Sequence, residues 1–358
     1  MFRIIDRYIL KKFIFTYIFV VSVIVSVVCI IDMTDKNEKF IRSNLGAEAL
    51  VGYYLDYFPY IANMITPITV FIAVVFITAK LASHTEIIAM LASGISFRRL
   101  MWPYLMGALI IGGSSFYFTG WVIPNSNKTR VAFEMQYLEK STMYSEENIH
   151  LKIAPELYLY IKNYQSQNKT GYNFTLERIE GTELIEKLSA QQIRWEEDSQ
   201  RWELINWKHR VFKEFVEEVD FGNKADTVLN IGPDDFSNQY RLYETLTLDE
   251  LNYYIRELRS RGADDIEMYL IEKYMRFSSP FTVVILTFIG LIVSARKSRE
   301  GAGFQIALGF LLAFIYIIFF TFTRSIAEVG AMNPALAVWI PNLIFAFVGA
   351  FLYKTLPR

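Results

Sequence analysis

The chain has 358 residues, 53% of them hydrophobic, and its 36 Lys+Arg against 37 Asp+Glu leave a formal charge of -1. That apolar share and a positive mean hydropathy argue against an ordinary soluble globule, and a near-neutral charge with scattered basic residues makes no case for nucleic acid. The single cysteine, Cys29, lies inside an apolar run, and His84, His150 and His209 are far apart, which excludes a disulfide framework and any metal-ligand spacing.

Six apolar runs of roughly twenty residues have the length that crosses a ~30 Å hydrocarbon core. They are Phe13–Ile31, Phe58–Thr78, Leu100–Ile123, Phe277–Ser294, Phe304–Thr323 and Ala335–Tyr353. The first follows Arg3, Arg7, Lys11 and Lys12 but ends at Asp32 with no small-residue cleavage site, so it reads as a retained span. The N-terminal cluster, Lys80, Arg98, Arg99, the run Arg296-Lys297-Ser298-Arg299, Lys354 and Arg358 fall on one side, which the positive-inside rule makes the cytoplasm. Both termini are then inside. The loop Asp32 to Tyr57, an insert from Pro124 to about Met275 and the turn Arg324 to Pro334 are outside. Lys36, Lys39 and Arg42 run against this charge bias, accompanied by Asp35, Glu38 and Glu48. The expected domains are residues 1–123 with three spans, the insert 124–274, and 275–358 with three more.

Between the second and third spans lies SHTEIIAMLASGISFRR, Ser83 to Arg99. Ser83 and Glu86 have capping-box spacing, and Gly94 before Ile95 has the form of a left-handed C-cap, so the spacing predicts a helix over about 84–93. Ile87, Ile88, Leu91 and Ile95 are expected on one face, and Ala82, Glu86, Ala89 and Ser93 on the other. No G-x-x-x-x-G-K-[ST] occurs, so the chain holds no P-loop for ATP. A cytoplasmic helix on a chain without an ATP site suggests a transporter subunit driven by a separate ATPase. From the residues alone, the helix either docks on such a partner or lies in the membrane interface with Glu86 as a cap only.

The insert is different material. Leu157, Leu159 and Ile161 alternate with Tyr158 and Tyr160, and QQIRWEEDSQRWELINWKHRVF places two strands around an acidic turn at Glu197 to Gln200. Recurring turns favour an all-β sandwich or open roll. In TLTLDELNYYIRELRSRG, Thr247 and Glu250 form a capping box, Leu251, Tyr254, Ile255 and Leu258 form a stripe, and Gly262 stops the helix, giving 247–262.

Chemical groups within the spans are few. GGSS at Gly112 to Ser115 has hydroxyls but no intramembrane base, and reads as a close-packing surface. Arg324 with Glu328 is either an i,i+4 pair snorkelling to the interface or a lipid-phosphate contact, and Lys36, Lys39 and Arg42 are either solvated or placed at anionic headgroups.

SHTEIIAMLASGIS, Arg98-Arg99 and Pro103, together with IDRYILKKF, WVIPNSN, RWEEDSQRWEL, LTLDELNYYIRELRSRG and the spacing of the spans, resemble the LptF/LptG family of lipopolysaccharide export permeases over essentially the whole chain. Asp6 and Arg7 in IDRYI resemble the LptG branch. The resemblance implies a polytopic α-helical membrane protein with six transmembrane helices and an inserted jellyroll-like periplasmic domain. It further implies a second LptF/LptG-type permease, an LptB-type ATPase dimer that binds ATP and Mg, an LptC-like jellyroll protein, and lipopolysaccharide or a related glycolipid as cargo. This chain itself is expected to be no enzyme and to bind no cofactor. By position, Glu86 would face the ATPase, with Ser83, Ala89, Ser93 and Gly94 around it. Lys36, Lys39, Arg42 and Arg324 would stand near lipid phosphates, and Leu157, Tyr158, Leu159, Tyr160 and Ile161 would belong to an acyl-chain groove. Where some relatives carry a lysine near the second span, this chain has Pro59-Tyr60. A non-transporting membrane scaffold or mechanotransmission subunit, whose β domain binds a protein, is the alternative function.

Overall fold

The amino-terminal apolar run forms one uninterrupted helix, α1, from Ile4–Arg42. At 1.5 Å per residue its 39 residues reach roughly 58 Å, longer than a bilayer core is thick. The structure is a computed structural model that describes residues 4–138, 146–165, 168–197, 199–213, 216–229, 231–233, 236, 241–261, 266–295 and 302–354. Arg3, Gly262, the basic run Arg296 to Arg299 and Arg358 lie outside the described residues. Six of the helices are long and apolar enough to cross a membrane. The chain divides into two units, Met1–Arg130 with Glu267–Arg358, and Val131–Ile266.

In the first unit, the expected span Phe58 to Thr78 is a correction: it is two helices, α2 (Ala47–Met64) and α3 (Thr66–Ser83), meeting at Ile65. Pro67, at the start of α3, lacks the N–H that a continuous helix would need there, so the ladder breaks one turn upstream. A short helix, α4 (Glu86–Ala92), leads to α5 (Phe97–Tyr117). Helical structure does not stop at Ile123 as expected. A π segment over Phe118–Val122 feeds α6 (Ile123–Phe133), and a second covers Glu134–Leu138. The π segment accommodates Pro124, which would clash in a regular ladder.

The second unit ends in α7 (Leu242–Thr245) and α8 (Leu248–Arg261), and the first unit resumes with α9 (Glu267–Ser294), α10 (Ala302–Glu328) and α11 (Pro334–Lys354). The start of α8 follows its sequence: the Thr247 N–H donates to Glu250 at 2.7 Å and the Glu250 N–H to the Thr247 hydroxyl at 3.4 Å. In the membrane unit, Ile9 and Phe13 of α1 share one core with Val74 and Leu81 of α3, Ile87 of α4, Tyr104 of α5 and Val283 of α9. A second core joins Phe71 of α3 to Leu286 of α9, Tyr316 of α10 and Phe345 of α11.

The second unit holds a single six-stranded antiparallel sheet in sequential order. Its strands are β1 (Glu146–Ala154), β2 (Leu157–Gln165), β3 (Thr170–Glu180), β4 (Glu183–Glu196), β5 (Arg201–Lys213) and β6 (Val216–Thr227). Four ladders are interrupted at one transverse row, Lys162, Asn173, Gln191, Asn206 and Asn223, and the β1–β2 ladder breaks at the same level, opposite position 148. Asn173 and Asn206 hold left-handed φ angles of 53° and 54°, a state Asn tolerates. Burial changes parity across this row, from Ile161 to Tyr164 in β2, from Ala190 to Ile193 in β4 and from Leu204 to Trp207 in β5. One extra residue per strand kinks the sheet there and keeps the apolar set on one side.

That apolar side is covered unevenly. Beyond the crease, Ile231 and Phe236 close over it: the Trp202 indole donates to the Ile231 carbonyl at 2.9 Å, and the Phe236 ring lies 4.9 Å from Tyr164. On the near side Leu151, Leu157, Leu176, Leu188 and Trp207 pack against the same core but stay only partly buried.

Candidate functional site

The segment between α3 and α5 is built differently at its two ends. Its C-terminal end follows the sequence: Gly94 has φ 86°, its N–H donates to the Leu91 carbonyl, and the Ile95 N–H donates to the Met90 carbonyl, a Schellman closure. Its N-terminal end corrects the expected capping box. Ser83 is still the last residue of α3 and its hydroxyl turns back to the Lys80 carbonyl at 2.9 Å. The chain reverses at Thr85, φ 63°, so α4 starts only at Glu86. The expected faces also divide: Ile87 is buried, whereas Ile88 and Leu91 are exposed together with Ala89 and Ser93.

Freed from capping, the Glu86 carboxylate meets α1. The Tyr8 hydroxyl donates to Oε2 at 3.0 Å, and the Lys12 ammonium stands 3.9 Å from Oε1. Lys12 also donates to the Tyr8 hydroxyl. Two residues before Tyr8 on α1, Asp6, 3% exposed, pairs with Arg99 in the first turn of α5.

At the other end of α1, Lys36 is enclosed. It pairs with Asp32 at 2.7 Å, donates to the Tyr53 hydroxyl at 2.7 Å, and sits 5.2 Å from the centroids of both the Tyr53 and Tyr57 rings. Tyr54 donates to Asp32 at 3.1 Å, which completes a zipper between α1 and α2. Lys39 is exposed one turn on, Arg42 is exposed and pairs with Glu38 at 2.5 Å, and Arg324 on α10 pairs with Glu328 at 2.7 Å.

Between these ends, a cavity of 520 Å³ opens beside α1, lined by Ile14, Tyr17 and Ile18, with Phe58 of α2 and Ile110 and Ser115 of α5. Its walls are apolar, and its polar groups are engaged. Tyr17 and Thr66 share a hydrogen bond of 2.9 Å, and the Asn63 amide accepts from Ser115 at 2.6 Å and donates to Thr119 at 2.7 Å. Gly112 is the close-packing position in GGSS: a Cβ there would lie 3.2 Å from the Pro280 backbone of α9. Deeper in the bundle, Thr282, Tyr316 and Asn342 form a buried triad, with both hydroxyls within 3.0 Å of the Asn342 carbonyl oxygen.

In the sheet, Leu157, Leu159 and Ile161 belong to the apolar inner side, where Leu159 pairs with Leu176 and Ile161 with Phe174. Tyr158 and Tyr160 stand on the opposite side, under Lys152 at 5.0 Å and against His150 at 4.6 Å. The five residues therefore line two surfaces.

Residues 7–355 match the family model described as lipopolysaccharide export system permease LptF/LptG. The chain belongs to the LptF/LptG family. It is similar to the lipopolysaccharide export system permease protein LptG of Escherichia coli strain K12 and of Escherichia coli O6:H1, at 19% identity in each case, over 98% of this chain and 98% of each relative.

On this LptF/LptG chain, the sequence-indicated residues fall in four separate places. Glu86, Ser83, Ala89, Ser93 and Gly94 cluster around α4. Lys36, Lys39 and Arg42 share the last turns of α1, while Arg324 stands on α10. The residues 157–161 lie in β2. Sequence reasoning missed Tyr8, Asn63, Thr66 and the triad. The available signal was a polar side chain inside or beside an apolar run, which is costly at membrane depth unless it is bonded.

Proposed function

We propose that this LptF/LptG chain is the permease subunit of an ATP-driven ABC transporter that extracts lipopolysaccharide from the inner membrane and passes it to a periplasmic β-jellyroll bridge. The family match over residues 7–355 carries the reading. Two features support it, each within its own unit: the apolar cavity beside α1 and the partly exposed apolar side of the sheet. Lifting acyl chains out of a membrane costs ~0.8 kcal/mol per CH₂, so export needs an energy source and apolar surfaces along the way.

The chain binds no cofactor in this reading. ATP and Mg belong to an LptB-type ATPase dimer, which Glu86 faces, with Ser83, Ala89, Ser93 and Gly94 leaving room for close approach. A second LptF/LptG-type permease and an LptC-like jellyroll protein complete the assembly. Both termini are cytoplasmic and the β unit is periplasmic. Arg42 and Arg324 meet lipid phosphates by exchanging a local carboxylate for a phosphate, and the exposed Lys39 joins them. Lys36 is less suited to that task, because Asp32 and two tyrosines already enclose it. Leu157, Leu176 and Leu188, which stay partly exposed, form the acyl surface, with Leu159 and Ile161 buried in the core behind it. Tyr158 and Tyr160 are left outside that groove.

Reconstitution tests the reading. The chain, a second permease and the ATPase dimer in vesicles containing lipopolysaccharide should release the lipid when ATP and Mg are added. ATP hydrolysis without any lipid release, with only protein partners captured on the β unit, would make the chain a scaffold instead.

A further inference from the structure

A seven-residue helix such as α4 is too short to hold its own shape in water, so whatever orients Glu86 lies elsewhere. Ile87 anchors the helix by burying in the core that Ile9 and Phe13 of α1 share with Leu81 of α3. The carboxylate itself is oriented by a chain of three groups, Lys12 to Tyr8 to Glu86. A tyrosine hydroxyl has one proton to give and lone pairs to receive. Here the proton goes to Glu86 and the lone pair takes the Lys12 ammonium, which also rests 4.2 Å from the centroid of the Tyr8 ring.

The two contacts on Glu86 are unequal. The Tyr8 bond, at 3.0 Å to a charged acceptor, is a charge-assisted hydrogen bond. The Lys12 ammonium is 3.9 Å away, and the side chains of Lys12 and Glu86 are 40% and 33% exposed, so this ion pair is weak and open to exchange. α4 also leaves Ile88, Ala89, Leu91 and Ser93 exposed beside it.

We propose that Tyr8 is the positioning residue that aims Glu86 at a basic side chain of the ATPase, and that Lys12 is the counter-charge which docking displaces. The proposal rests on the docking role given to α4 above. Tyr8 keeps its bond to Glu86 when the partner cation arrives, while Lys12 swings into solvent. The Asp6 and Arg99 pair holds α1 against α5, and Ile87 of α4 shares a core with Ile9 and Phe13 of α1 and Leu81 of α3, so a displacement of α4 is carried into α1 through that core.

The two side chains then have opposite effects on docking. In the assembled complex, Tyr8→Phe keeps the ring and removes only the hydroxyl, and should weaken ATPase binding about fivefold. Lys12→Gln removes the internal competitor and should tighten binding about twofold. A merely structural role for the cluster would weaken binding in both variants. In the chain alone, without any ATPase, Tyr8→Phe and Glu86→Gln should give non-additive shifts in melting temperature. Additive shifts there, or weaker ATPase binding by Lys12→Gln, overturn the proposal. Coupled shifts combined with unimpaired docking of Glu86→Ala overturn the docking reading, and the exchange with it, while leaving the clasp itself in place.

Discussion

The two ends of α1 carry ion pairs of different construction. At the α4 end the pairs join distant parts of the chain, Asp6 with Arg99 and Lys12 with Glu86. Towards the opposite end, and on α10, pairs lie within one helix: Asp32 with Lys36, Glu38 with Arg42, and Arg324 with Glu328 are all i,i+4. A local pair contributes only about 0.3–0.5 kcal/mol and can trade its carboxylate for another anion without moving a helix. A pair between helices is part of the tertiary structure. In the proposed function this contrast gives anion exchange to Glu38–Arg42 and Glu328–Arg324, and transmission to the Asp6–Arg99 pair.

Asp6→Ala is the strongest challenge to this contrast. It removes a buried carboxylate from beside Arg99 and should cost about 2–3 kcal/mol, below the full cost for a wholly buried pair because the Arg99 side chain is 34% exposed. Thermal unfolding of the purified chain measures it, and a loss like that of an exposed pair would erase the distinction. Tyr316→Phe should cost less, about 0.6–1.7 kcal/mol, by removing one hydroxyl from the triad that ties α10 to α9 and α11. Arg324→Gln should change stability by less than about 0.5 kcal/mol, yet slow ATP-dependent lipid release in vesicles. A large stability loss without a release defect would make Arg324 structural.

The smallest expected effect lies in the sheet. Lys224 at 2.5 Å and Arg194 at 2.6 Å hold the Glu203 carboxyl below the usual carboxylate range. With the folded value depressed, the stabilisation is present above the unfolded pKa and is lost as pH falls through the folded one. Tryptophan fluorescence of the full chain during acid titration should therefore show a shallower acid limb for Glu203→Gln than for the parent chain.

Much of the fold was legible because membrane helices announce themselves by length and apolar content. The break at Ile65 was less visible: Pro67 marks it, but the run around it is apolar on both sides. β6 was hidden because VEEVDFGNKADT is an exposed strand with no apolar alternation to read. Two similar patterns had different outcomes. Thr247 and Glu250 form their capping box because Leu246 before them is extended, at ψ 129°. Ser83 and Glu86 have the same spacing, but Ser83 is still helical and its hydroxyl is spent on Lys80. Local spacing also carries no information about Tyr8, which lies 78 residues from Glu86. The polar row across the sheet needs the strand register to be seen at all.

The most direct test of lipid handling uses two neighbouring positions on opposite sides of β2. A photocrosslinking residue at Leu157 should capture lipopolysaccharide in the reconstituted complex only when ATP is supplied, and the same residue at Tyr158 should capture little. Equal capture at both positions, or none at Leu157 with ATP present, would contradict export along the apolar side of the sheet.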